Sequence, residues 1–268
     1  MLHQEFPPPP ALRDSVKCYW HNRRDFGAAP SSFEVLPDGY AEVIFYFGGG
    51  CSIDINGSAQ ALPSLFMMGL LNRPVQLHTS GRFDVIGIRC FPWAVFDLLG
   101  LPSGAAEVHF FEHPLAQLHP RLEQWLRAGQ IDAALAELSR VLLDARSEVD
   151  GTLSRAGLAM REANGSLPVS QVAAKAHATV RTLERKFRQS SGHTVKDVSG
   201  LMRFEQVRNR LWQQPRASLA ALAQELGYTD QSHLSREFKR YSGMTPSAFA
   251  RAADPQRHSR EIVAFVQA

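Results

Sequence analysis

The sequence predicts an α+β chain. A β-barrel or cupin-like N-terminal domain ends in a helical hairpin, and an all-α domain follows, with two helix-turn-helix units joined by a linking helix. Three observations carry this. Residues 33–89 form short apolar runs broken by turn residues, the texture of an antiparallel sandwich or barrel. From residue 114 onward the apolar spacing becomes three and four, the helical period. The charge divides in the same way: residues 1–150 hold 11 Lys/Arg against 17 Asp/Glu, a balance of −6, and residues 151–268 hold 18 against 9, a balance of +9. A basic half beside an acidic one implies a polyanionic partner for the former.

Taken in order, Pro7 to Pro10 predicts an extended arm, and Trp20 to Arg24 show no clear period. Pro37-Asp38-Gly39 is a turn, Ala41 to Phe47 an apolar strand and Gly48-Gly49-Gly50 a break. Cys51 to Ile55 alternates and stops at Asn56-Gly57, a hairpin signal. Leu65 to Leu70, Val75 to His78 and Phe83 to Arg89 add strands, and Pro92 to Leu99 a short helix. Leu115, Leu118, Leu122, Trp125 and Leu126 form one helical stripe; Ile131, Leu135, Leu138 and Leu142 form another, with Gly129 between them. This is a helical hairpin. The expected domains are 1–113, 114–150 and 151–252, with a tail at 253–268.

At 268 residues the chain is long enough for two domains, each with its own core. No run approaches the roughly 18 apolar residues of a membrane span, and MLHQEFPPPP lacks the basic and apolar regions of a signal peptide. Cys18, Cys51 and Cys90 are an odd count without metal-type spacing, and are expected to be buried, reduced thiols in a cytoplasmic protein.

The most informative stretch runs from Ser218 to Arg251. Leu219, Leu222, Ala223 and Leu226 make a helical stripe closed by Gly227. Thr229 or Asp230 opens a second helix, in which Leu234, Phe238 and Tyr241 mark the buried face. Gln231, Ser232, Ser235, Arg236 and Lys239 occupy the opposite face. An apolar helix, a glycine turn and a basic, amide-bearing helix describe a helix-turn-helix. A copy lies upstream: Leu183, Phe187 and Gly192 precede Leu234, Phe238 and Gly243 by 51 residues each. Val172, Ala173 and Ala176 supply its first-helix stripe. Leu201, Phe204, Val207 and Leu211 mark a connecting helix that Pro215 ends.

This tandem, with the closing run Gly243-Met244-Thr245-Pro246-Ser247-Ala248-Phe249-Ala250-Arg251, resembles the AraC/XylS family of transcription regulators over residues 152–251. Phe249 stands where Tyr is commoner. The segments PDGYAEVIFYF and HTSGRFDVIGIRC are similar to those of one subgroup of such regulators. The resemblance implies a β-barrel sensor domain, helices that dimerise and a DNA-binding pair. It further implies double-stranded DNA as partner, a small-molecule effector, RNA polymerase contacts and a homodimer, with no cofactor, no catalysis and no membrane. The base-reading positions of the family fall on Gln231, Ser232 and Arg236 in the second unit and on Arg181, Glu184 and Arg185 in the first.

The chemistry suits those positions. Gln pairs bidentately with adenine and Arg with guanine, while Glu184 can accept from cytosine N4 or pair with Arg181 or Arg188. Phosphate contacts are expected from Arg188, Lys239, Arg240 and helix N-termini. Val195 stands where the second unit has Pro246, so the first unit is the less typical. Two recognition helices on one linker enter successive major grooves of straight DNA only at about 34 Å separation; at less, the DNA bends.

In the N-terminal half Tyr46, His78, Arg89 and Trp93 are candidates to orient an effector. Two alternatives stand beside the sensor reading. One is a cupin-like enzyme or metal-binding module: His109 and His113 are spaced by four with Glu112 between, but no third and fourth ligands follow. The other is a ligand-free dimerisation module. Cys51, without a basic neighbour, does not support alkyl-accepting chemistry.

Overall fold

The computed structural model describes residues 2–55, 58–145 and 150–253. The strands in chain order are β1 (Leu2–Phe6), β2 (Val16–Asp25), β3 (Ser31–Val35), β4 (Ala41–Tyr46), β5 (Cys51–Ile55), β6 (Ser58–Ala61), β7 (Leu65–Met68), β8 (Val75–Thr79), β9 (Arg82–Cys90) and β10 (Val108–His109). They make two antiparallel sheets. One runs β1-β2-β9-β4-β7-β10 and the other β3-β8-β5-β6. Between them lie Trp20, Ile44, Phe66 and Val85 from the larger sheet and Phe33, Ile53 and Leu77 from the smaller. The Asn56-Gly57 turn lies outside the described residues, while the strands flanking it pair with Ile55 opposite Ser58.

β1 and β2 are absent from the sequence reading, and burial explains the second. From Cys18 to Asn22 every residue of β2 is buried, because one face meets the smaller sheet and the other meets helices. A strand covered on both faces has no two-residue alternation. Its polar residues hide in pairs: His21 Nε2 lies 2.8 Å from Asp84 Oδ1, and Arg23 Nε donates to Asp84 Oδ2 at 2.9 Å. Trp20 faces Gly87 of β9 in register. A Cβ on Gly87 would stand 1.9 Å from the indole, so glycine is what lets the ring lie across the strand.

Helix α1 (Val95–Leu99) starts three residues later than the sequence suggests. After a short 3-10 turn at Pro114–Leu118, α2 (His119–Arg127) and α3 (Ile131–Ala145) form the expected hairpin, with Gly129 at φ 71 between them. Its stripe, including Leu122, Leu126, Leu135, Leu138 and Leu142, packs on Tyr19, Phe45, Ile86 and Ile88 of the larger sheet. The hairpin's apolar face is therefore spent within the chain.

The helical half comprises α4 (Gly151–Glu162), α5 (Val169–Lys175), α6 (Val180–Ser191), α7 (Val195–Gln213), α8 (Leu219–Glu225), α9 (Gln231–Ser242) and α10 (Pro246–Ala253). Its core takes in Leu36, Leu70, Phe91 and Trp93 from the β-rich half. Trp93 stacks on Phe91 at 5.1 Å, lies 6.0 Å from the ring of Phe187, and sits where Gly157 of α4 leaves room. Arg161 of α4 places its guanidinium 4.1 Å from the centre of the Phe91 ring. No described helix is long and apolar enough to cross a membrane.

Candidate nucleic-acid interface

Each of the two units is a short helix, a tight turn and a twelve-residue helix. In the first, the Thr182 N–H donates to Thr179 Oγ1 at 3.1 Å, opening α6, and Gly192 closes it at φ 73. In the second, the His233 N–H donates to Asp230 Oδ1 at 2.7 Å, opening α9, and Gly243 closes it at φ 73. These caps satisfy helix-end groups that would otherwise be unpaired. Leu183, Phe187, Leu234 and Phe238 are wholly buried, which fixes the rotation of both helices and turns the other face outward.

On that outer face Arg181, Arg185 and Arg188 of α6 are exposed, as are Gln231, Ser232, Arg236, Lys239 and Arg240 of α9. Most are uncommitted. The side chains of Arg181, Arg188, Gln231, Ser232, Arg236 and Lys239 make no hydrogen bond or ion pair among the described residues. Arg185 donates to Gln189 Oε1 at 2.8 Å. Arg240 lies along Tyr241, its Nη2 3.3 Å from the hydroxyl. Glu184 stands apart: it is half-buried, and its Oε2 accepts from the Val195 N–H at 3.4 Å. The second recognition helix is fixed on α7 through a forked contact of Arg203 with Glu237 at 3.1 and 3.2 Å.

The four candidate effector residues do not form one pocket. Tyr46 is buried between the sheets, its hydroxyl 3.4 Å from Thr79 Oγ1. His78 lies on the outer face of the smaller sheet, 2.9 Å from Asp54 Oδ2. It lines an open depression there with Ser32, Ser52 and Thr79. Trp93 belongs to the core between the two halves. Arg89 lines a separate cavity at the mouth between the sheets, with Trp20, Asp38, Tyr40, Glu42 and, from α7, Arg208. Its volume of about 30 Å3 has room for a water or two. Arg89 Nε donates to Glu42 Oε1 at 2.6 Å, and Trp20 Nε1 donates to Glu42 Oε2 at 2.7 Å. Burial alone lowers the Arg89 guanidinium's pKa, but Glu42 and Asp38 outweigh it and hold the group well above the usual arginine value.

The other chemistry considered is occupied elsewhere. His113 Nε2 lies 3.0 Å from Leu99 O, and its Nδ1 accepts from the Leu115 N–H at 3.1 Å. Among the described residues no set of three His, Cys, Asp or Glu side chains is placed to hold a metal. All three cysteines are buried and free, and burial pushes the Cys51 thiol up to about 11, away from a nucleophilic thiolate.

Residues 172–252 match the family model of a helix-turn-helix domain, and residues 4–119 that of a domain of unknown function (DUF6597). Among solved structures, unsaturated fatty acid-bound ToxT from Vibrio cholerae is similar at 12% identity over 92% of this chain and 99% of that one, with a TM-score of 0.48. The DNA-binding domain of AdpA in complex with a target DNA is similar at 25% identity over 40% and 96%, TM-score 0.36. An AraC-type regulator from Chromobacterium violaceum is similar at 21% identity over 39% and 93%, TM-score 0.36. No curated protein matches the chain. Paired helix-turn-helix units on one linking helix, with their cationic faces outward, define a DNA-binding transcription regulator. Within that class, the C-terminal half is an AraC-type DNA-binding domain.

Proposed function

We propose that both recognition helices read bases, in an operator of nearly two turns per chain. Gln231, Ser232 and Arg236 serve in the second unit and Arg181 and Arg185 in the first, with Glu184 holding the first unit's shape. Arg188, Lys239 and Arg240 meet phosphates. The observation that carries this reading is the pair of exposed strips, related by the 51-residue offset, whose side chains have so few partners within the chain. Donors without a partner in the chain break no internal contact when they meet base edges.

Domain boundaries near residues 113, 150 and 252 fit this division of labour. The β-rich half acts as a sensor without catalysis, taking a small molecule at the mouth that Arg89 lines. Arg208 supports that assignment, because it joins the mouth to the helix that carries both reading units. A homodimer and contacts with RNA polymerase complete the proposal; the hairpin's buried stripe directs the search for a dimer interface to its outer face, where Leu143 is 38% exposed.

Selection of DNA from a random pool with the full chain, followed by a salt titration, is the test. Two separated blocks of preference and a steep salt slope are expected. A single block removes the first unit as a reader. Arg236→Ala is expected to cost about 1–3 kcal/mol on the selected site and to relax one base position. Equal weakening on all sequences makes Arg236 a phosphate contact instead. Arg240→Ala is expected to lower affinity on all sequences and shallow the salt slope, with base preference unchanged.

A further inference from the structure

One side chain of the helical half closes the mouth between the sheets. Arg208 of α7 is 5% exposed, and its Nη1 donates to Pro37 O at 3.1 Å. Its Nε and Nη2 donate to Asn209 Oδ1, and Nη2 stands 3.8 Å from Glu205 Oε1. Deeper in, Arg89 is ringed by Glu42 at 2.6 Å, Glu5 at 3.5 Å and Asp38 at 3.8 Å. Four carboxylates thus stand around two guanidinium groups, and two of them, Asp38 and Glu42, line the cavity with Trp20 and Tyr40. Glu205 is 7% exposed and its carboxylate accepts no hydrogen bond among the described residues; its ion-pair partner stands at the limit of contact. Burial, with the push of Asp38 and against the pull of Arg208, Arg89 and Lys17, raises its carboxyl to about 7.

We infer that this mouth is a site for a small organic cation of the guanidinium or primary-ammonium class, and that Arg208 is its built-in occupant. The inference rests on the sensor assignment above and names the chemistry of that site. The groups turned toward Arg208 are the Pro37 carbonyl, the Asn209 side-chain carbonyl and the Glu205 carboxylate, all of which can accept from an N–H donor. An anion finds no free partner there, because Arg89 already faces three carboxylates. The remaining space holds only a water or two, so a ligand enters as Arg208 leaves. Arg208 sits on α7, which carries both reading units, so the exchange releases a tie between the mouth and the DNA-binding half. Such a ligand shifts the arrangement only by its preference for the mouth vacated by Arg208.

The experiment is calorimetric titration of the full chain with agmatine, butanol and butanoate, repeated on Arg208→Met, which keeps the apolar stem and removes the competing charge. Agmatine is expected to bind, and to bind Arg208→Met about tenfold more tightly or better, as removal of a competing occupant requires. Butanol and butanoate are expected not to bind. Glu205→Gln and Asp38→Asn each lose at least about threefold in agmatine affinity by the loss of a charge partner, which keeps the test decisive if Arg208→Met does not fold. Absence of agmatine binding to wild type and variants overturns the inference, as does equal or weaker binding to Arg208→Met. Operator affinity measured alongside separates the two readings. A shift with butanoate and none with agmatine keeps the sensor and discards the cation.

Discussion

In the first reading unit Ser191 Oγ donates to Phe187 O at 2.8 Å, and in the second Ser242 Oγ donates to Phe238 O at the same distance. Thr194 and Thr245 likewise cap the helices that follow, taking the N–H of Asp197 at 3.1 Å and of Ala248 at 3.2 Å. The repeat thus extends to single hydrogen bonds. What differs is the attachment. The first unit is built into the rest of the chain: Phe187 packs near Trp93, Lys186 pairs with Asp150 ahead of α4, and Gly192 lies against the backbone of Gly104. The second is held mainly by α7, through Arg203–Glu237 and the Phe204–Phe238 contact at 5.0 Å. Any movement between the halves therefore strains the first unit first, while the second keeps its geometry.

The largest expected effect tests that asymmetry directly. Phe187→Ala and Phe238→Ala each remove a fully buried ring and are expected to cost about 3–5 kcal/mol in urea unfolding. Only Phe187→Ala is also expected to speed hydrogen exchange at residues 91–95, because only Phe187 reaches Trp93. The same exchange in both variants dissolves the distinction. The next effect compares the closing glycines. Both have φ 73, so alanine at either costs about 1–2 kcal/mol for the left-handed backbone. At Gly192 a Cβ would also stand 2.7 Å from the Gly104 backbone, whereas at Gly243 it meets only Pro74 at 3.9 Å. Gly192→Ala is therefore expected to exceed Gly243→Ala by about 1–3 kcal/mol, the range for overpacking; equal thermal shifts mean that the Gly104 segment yields freely.

A smaller difference concerns pH. Asp197 closes a capping box with Thr194, and the second unit has Ala248 at that place. Burial raises the Asp197 carboxyl, but hydrogen bonds from the Thr194 side chain and backbone, with His193 and Arg240 nearby, outweigh it and leave the pKa below the usual value. A lowered carboxylate stabilises the fold above its unfolded value and loses that contribution as pH falls through the folded one. The start of α7 is therefore expected to loosen below about pH 4 before the start of α10 does, by amide exchange. Asp197→Asn is expected to erase the difference, and its persistence there assigns the effect to another group.

Much of this comparison was legible in the sequence. The 51-residue offset of Leu183, Phe187 and Gly192 exposes the repeat because these positions answer to local packing and backbone sterics alone. The strands from Ala41 to Arg89 were legible within a few residues for a similar reason: turns and short apolar runs are local signals. β2 was not, since two covered faces erase alternation and Asp84, far along the chain, neutralises its charges. The mouth was hidden too, because it depends on α7 meeting a loop 171 residues earlier. A trace existed. Arg208 lies four residues after Phe204 and three before Leu211, on the buried stripe of its helix. A charge placed there requires a partner from elsewhere.

The smallest expected effect decides how far the first unit departs from the second. Glu184 occupies the place of Ser235, and Val195 the place of Pro246. Val195 begins α7 and exposes an N–H that no helical carbonyl can take; Pro246 begins α10 and has none. The Glu184 contact with the Val195 N–H is thus a substitute for proline, aided by the positive end of α7. Glu184→Ala is expected to cost about 0.5–1 kcal/mol of stability, and Glu184→Gln, which retains an acceptor, less. Neither changes base preference. Thr194 precedes the site with φ −85 and ψ 160, a conformation that a following proline accepts, so Val195→Pro supplies the second unit's solution. In that background Glu184→Ala is expected to cost nothing. A cost that survives Val195→Pro, together with altered selection at one base, makes Glu184 a reader of DNA and the two units functional equals.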